Sequence, residues 1–156
     1  MIDPAPPHDV PFYHVCFVVP DLEAAMADLA AAVGCRWLEP SDGRYGDSAL
    51  LATFSLGGPP YIELVTAGPD SPWDASTGAR FDHLGYWTNS LPTTSNRLLQ
   101  NGFPEEFTGC PFGRPFTGHH IASIGARIEL FDTAAQPYFI DTVGHTQGPM
   151  PALDER

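Results

Sequence analysis

The strongest constraint in this sequence is that it repeats itself. From Phe12 the chain reads as strand, helix and three strands, and from about residue 80 the same order begins again. In the first half, Phe12 to Val19 is a β-branched and aromatic run stopped by Pro20. Asp21 can cap an Ala-rich amphipathic helix over Leu22 to Val33, and Gly34 sits where such a helix ends. Cys35 to Glu39, Ala49 to Leu56 and Tyr61 to Val65 fit three short strands, the last two joined by Gly57-Gly58-Pro59-Pro60. In the second half, Phe81 to Thr88 is a strand, and a helix starts at Ser90 or the threonines after it and runs to about Asn101. Strands then fit Glu105 to Thr108, His119 to Ser123 and Arg127 to Phe131. The expected fold is α+β: one domain of two βαβββ modules, residues 12–66 and 80–132, with a Pro- and Gly-rich linker at 67–79. An irregular arm at 1–11 and an extension at 133–156 flank it.

The repeat carries chemistry with it. His14 and His83 lie early in the first strand of their modules, 69 residues apart. Glu63 and Glu129 lie in the last strands, 66 residues apart, within Tyr61-Ile62-Glu63-Leu64-Val65 and Arg127-Ile128-Glu129-Leu130-Phe131. A carboxylate between Ile and Leu in a strand faces away from the helix that its apolar neighbours cover. If the modules close their open faces on one cup, two imidazoles and two carboxylates meet there. Those are ligands for one divalent Zn, Ni, Co, Mn or Fe ion. Two carboxylates balance its charge and leave two octahedral positions for adjacent substrate oxygens. A Lewis acid so placed stabilises a developing enolate, while a detached carboxylate moves the proton.

This arrangement resembles the vicinal oxygen chelate superfamily, which includes glyoxalase I, methylmalonyl-CoA epimerase, extradiol dioxygenases and fosfomycin-resistance proteins. The likeness runs from Phe12 to Phe131 and is strongest at His14-Val15-Cys16-Phe17-Val18-Val19-Pro20-Asp21-Leu22-Glu23-Ala24-Ala25, which looks like the opening of epimerase and glyoxalase-like members. The resemblance implies a metal held by His14, Glu63, His83 and Glu129. A His, Glu, His, Glu set is the glyoxalase type, whereas epimerases usually carry Gln at the position of Glu63. Both imply a metal-dependent lyase or isomerase that abstracts a proton next to a carbonyl. A ring-cleaving dioxygenase, or a resistance-type protein that sequesters a ligand in the same cup, is the alternative.

Strand alternation fills in the cup wall. With the four ligands facing inward, Cys16, Val18, Tyr61, Val65, Trp87, Arg127 and Phe131 face inward too. Tyr61, Trp87, Phe54, Phe131 and Arg127 are the candidate substrate contacts, Arg127 through a guanidinium that can hold a carboxylate or phosphate. Glu63 and Glu129 are candidate proton carriers. His120 is a third, because a two-residue turn at Ile124-Gly125 sets it opposite Glu129; a one-residue slip selects His119 instead. The loop from Gly109 to Gly118 can form a mouth in which Phe112 and Phe116 meet an apolar substrate, or pack those rings into the core.

Seven basic residues, all Arg, stand against 19 acidic ones, a net charge of −12. Such a surface repels phosphate backbones and anionic lipid, so nucleic acid and membrane are excluded as partners. It also disfavours anionic glutathione or coenzyme A carriers, leaving a smaller or less charged substrate. Cys16, Cys35 and Cys110 form no CxxC pair, so no thiolate zinc site or disulfide framework is indicated. Without a long apolar run or a basic leader, a cytoplasmic protein is expected, acting on a small molecule as a homodimer.

Overall fold

The computed structural model describes residues 11–137; most of the amino-terminal arm and the extension beyond residue 137 lie outside them. The order of elements is β1 (Phe12–Val18), α1 (Leu22–Val33), β2 (Arg36–Trp37), β3 (Ser41–Tyr45), β4 (Ser48–Leu56) and β5 (Tyr61–Ala67). There follow β6 (Arg80–Thr88), α2 (Leu91–Gln100), β7 (Glu105–Thr108), β8 (Phe116–Ile121) and β9 (Ala126–Asp132). All nine strands join one mixed sheet, ordered β2-β4-β5-β1-β6-β9-β8-β7, with β3 paired to β4. Each module closes by a parallel pairing of its first and last strands, β1 with β5 and β6 with β9. The two first strands pair antiparallel with each other.

Each helix covers the outer face of its own module. The Asp21 side chain accepts a hydrogen bond from the Ala24 amide at 2.9 Å, and Gly34 ends α1 at φ 72°, a left-handed conformation that a side chain would strain. Leu22, Ala25, Met26 and Leu29 of α1 pack on Ile62, Leu64 and Leu51. Leu91 and Leu98 of α2 pack on Tyr86, Ile128 and Leu130. The Ile and Leu beside each glutamate therefore sit under a helix, which sends the glutamates to the opposite, concave face. That face holds a second core of Cys16, Val18, Val65, Phe107 and Phe116, into which the linker inserts Trp73.

Four local expectations need correction. The strand expected over Cys35 to Glu39 shrinks to Arg36–Trp37, and the chain instead builds the hairpin β3–β4, in which Tyr45 pairs with Ser48 around Gly46-Asp47. Gly46 has φ 59°, which a tight two-residue hairpin turn requires. The strand expected over His119 to Ser123 begins at Phe116 and ends at Ile121, because Ala122–Ile124 form a 3-10 turn. That longer turn moves the register by two residues, so Gly118 rather than His120 faces Glu129. Phe116 accordingly belongs to a strand and to the core, while Phe112 is half exposed beside Tyr45.

Candidate metal centre

His14 and His83 sit on the two central strands, and Glu63 and Glu129 on the strands flanking them. His14 Nε2 lies 3.0 Å from His83 Nε2, 3.1 Å from Glu63 Oε2 and 3.6 Å from Glu129 Oε1. His83 Nε2 lies 3.4 Å from Glu63 Oε2 and 3.5 Å from Glu129 Oε2. One donor atom from each residue falls within 4.8 Å of all the others. Donors bound at about 2.1 Å to a single ion stand roughly 3.0 to 3.4 Å apart for right-angle or tetrahedral placement. The spacing of these four residues thus fits one metal ion.

Burial makes the cluster electrostatically demanding. Both imidazoles are buried, while the side chains of Glu63 and Glu129 keep 17% and 8% exposure. Burial pushes Glu129 up to about 8; the Glu63 and Asp82 carboxylates add to that, and His83 opposes it. Burial also raises Glu63, but hydrogen bonds and charge from His14 and His83 outweigh it and hold this carboxyl below the usual range. His14 is lowered, chiefly by burial. Two adjacent carboxylates resist joint ionisation, and a divalent cation removes that conflict.

Close approach of backbone makes room for the His14 ring. Gly85 pairs with His14 across β1 and β6, and a β-carbon there would stand 1.9 Å from the imidazole. Gly118, opposite Glu129, accommodates Phe107 in the same way, at 2.1 Å. Neither glycine stands out in the sequence, because its need arises only when the strands pair.

The wall residues take distinct places. Phe54 pairs with Glu63 and meets the His14 ring edge-on at 5.6 Å. Tyr61 and Trp87 are buried with Tyr13, whose ring stacks on Trp87 at 4.2 Å and meets the His14 ring at 4.4 Å. Phe131 packs between Trp87 and Phe116. Arg127 faces the cup, but its guanidinium bonds Asp82 and the Pro72 carbonyl and lies over the Phe107 ring at 5.0 Å. His120, near the end of β8, has its Nδ1 2.9 Å from the Glu106 carboxylate and does not join the four. His119 is buried under α2, with Ser95 Oγ 2.9 Å from Nε2 and the Phe103 carbonyl 3.0 Å from Nδ1.

One residue of the site escaped sequence reasoning. Asp82 is buried, with Oδ2 2.7 Å from His83 Nδ1. Strict alternation would turn it away from the neighbouring His83.

Two repeated modules that bring paired His and Glu residues into one cup define an α+β protein of the vicinal oxygen chelate class. The chain belongs to the Glyoxalase/Bleomycin resistance protein/Dioxygenase superfamily, whose pattern matches residues 13–123. Among solved structures it is similar to methylmalonyl-CoA epimerase from Mycobacterium tuberculosis, at 17% identity and TM-score 0.60 over 93% of this chain and 91% of that one. A variant methylmalonyl-CoA epimerase from Streptomyces coelicolor, in complex with 2-nitronate-propionyl-CoA, gives 18% and 0.61 over 81% and 99%. A mutant 4-hydroxymandelate synthase from Streptomyces coelicolor gives 12% and 0.58 over 80% of this chain and 48% of that one. No curated protein matches the chain in sequence. No helix among the described residues is long and apolar enough to cross a membrane.

Proposed function

We propose that this chain is a metal-dependent lyase or isomerase that removes a proton from a carbon next to a carbonyl. The observation that carries this reading is the convergence of two carboxylates, one from each module, with two imidazoles at the bottom of an aromatic cup. A divalent ion held by His14, Glu63, His83 and Glu129 supplies Lewis-acid stabilisation of negative charge growing on a substrate oxygen. Proton movement falls to the carboxylates. Glu63 turns the same oxygen, Oε2, toward both imidazoles, whereas Glu129 offers Oε1 to one and Oε2 to the other. Glu63 is the more exposed of the two, whereas Glu129 is the one whose proton affinity burial raises, so either carboxylate can take a proton from substrate and return it. Phe54 and the rings behind it form an apolar wall beside the His14 imidazole.

A small substrate of low charge suits this cup. Arg127 and Arg80, the cations near the site, are bonded to Asp82 and to the carbonyls of Pro72 and Asp74.

The test is exchange of substrate protons with deuterium in D2O, followed by NMR under anaerobic conditions with Zn-loaded protein, over small hydroxy-carbonyl compounds and acyl thioesters. Exchange without oxygen uptake is the expected result. Glu63→Gln and Glu129→Gln are each expected to weaken metal binding and abolish exchange. Full metal content and full exchange in both variants would falsify the assignment. Oxygen consumption with ring cleavage makes the protein a dioxygenase, and tight binding without chemical change under any metal makes it a sequestering protein.

A further inference from the structure

The antiparallel pairing of β1 and β6 is interrupted twice. Register passes from Phe12 opposite Tyr86 to His14 opposite Gly85, and from Cys16 opposite His83 to Phe17 opposite Phe81. Tyr13 and Asp82 are the residues left over, and each immediately precedes the histidine of its module. A bulge frees its extra residue from strict alternation and re-aims the side chain. Both side chains are buried as a result, but they do different things. Tyr13 lays an aromatic ring against His14. Asp82 reaches the Nδ1 of His83 at 2.7 Å.

Asp82 is itself held. Arg127 donates to its Oδ1 and also to the Pro72 carbonyl at 3.0 Å, and Arg80 donates to the same carbonyl at 3.2 Å. The chain of contacts therefore runs from His83 through Asp82 and Arg127 to the linker between the modules. On the other side, His14 Nδ1 is buried with no hydrogen-bond partner among the described residues. An imidazole that donates through Nδ1 keeps its Nε2 lone pair free for a metal, and a carboxylate acceptor strengthens that nitrogen as a ligand.

We propose that Asp82, clamped by Arg127 and the Pro72 carbonyl, is a positioning residue that fixes the ring and tautomer of His83 and makes it the anchoring metal ligand. The inference rests on the metal-site reading given above and assigns Arg127 to the support of Asp82. It predicts an unequal centre, in which His83 is held by a charged hydrogen bond and His14 by packing.

The experiment is titration of the full chain with Co(II) and Zn(II), with chelator competition for affinity, the Co(II) absorption spectrum for geometry, and proton NMR of the Zn-loaded protein. Asp82→Ala is expected to weaken metal binding about 10- to 100-fold, the range typical for loss of such a partner. Asp82→Asn, which preserves shape and one acceptor oxygen, is expected to recover part of that affinity and to keep the fold should the alanine variant fail to fold. In wild type a slowly exchanging imidazole N–H signal is expected from His83 and is expected to vanish in Asp82→Ala. Arg127→Ala is expected to give a smaller loss of affinity and a shifted Co(II) spectrum. Wild-type affinity and an unchanged Co(II) spectrum in both Asp82 variants overturn the inference while leaving the metal site standing. Wild-type protein that takes up neither ion overturns the metal site and this inference together.

Discussion

The two modules solve one problem with different local means. Each delivers a histidine from its first strand and a glutamate from its last, and each places Leu64 or Leu130 beside that glutamate under its own helix. Their supports diverge. The first module presses His14 between Tyr13 and Phe54 and over Gly85, and the second ties His83 to Asp82 and through it to Arg127. The helices diverge as well: Asp21 caps the amide of Ala24, whereas Ser90 makes no such bond and its hydroxyl pairs with Thr93. Repetition of a fold therefore preserves ligand direction more strictly than the contacts that enforce it.

The largest expected effect tests the likeness of the modules. Leu64→Ala and Leu130→Ala each empty a fully buried site, and each is expected to cost about 2–5 kcal/mol by chemical denaturation. Values that agree within about 1 kcal/mol uphold equivalent packing; a much smaller cost at one site breaks the comparison. Next comes the contrast in support. Gly85→Ala forces a methyl group against the His14 ring, with an expected loss of about 1–3 kcal/mol and of most metal affinity. A Gly85→Ala variant that binds Zn(II) as wild type does would show that His14 needs no such seat. The smallest effect concerns the helix starts. Asp21→Ala is expected to lower stability by about 1 kcal/mol, and Ser90→Ala by only a few tenths, as read from thermal denaturation.

The fold was legible in the sequence because its signals are local and doubled. Asp21 and Gly34 mark both ends of α1, and the repeated Ile-Glu-Leu triplet fixes the face of both glutamates before any pairing is known. The four candidate ligands follow from the same repeat. What stayed hidden depends on pairing between strands distant in sequence. Asp82 faces the site because β6 bulges against β1, and the value of Gly85 lies in an imidazole 71 residues earlier in the chain. The displacement of His120 from Glu129 turned on the length of one turn, Ala122–Ile124 in 3-10 form, which apolar patterning does not encode. Gly46-Asp47 did advertise a hairpin, but the short polar strand before it lacks the β-branched residues that mark strands elsewhere in the chain.

The pairing of β1 with β6 has a thermodynamic consequence. It is the principal seam between the modules, and each side of it contributes only one imidazole and one carboxylate. If the four residues hold an ion as proposed, neither half alone offers more than a two-toothed grip on it, so affinity would arise only when the seam is shut. Metal and seam would then stabilise each other: an ion present at 100 times its dissociation constant would add about 2.7 kcal/mol to the closed state. Stripping the ion would be felt first as loosening between β1 and β6, before either helix parts from its own module.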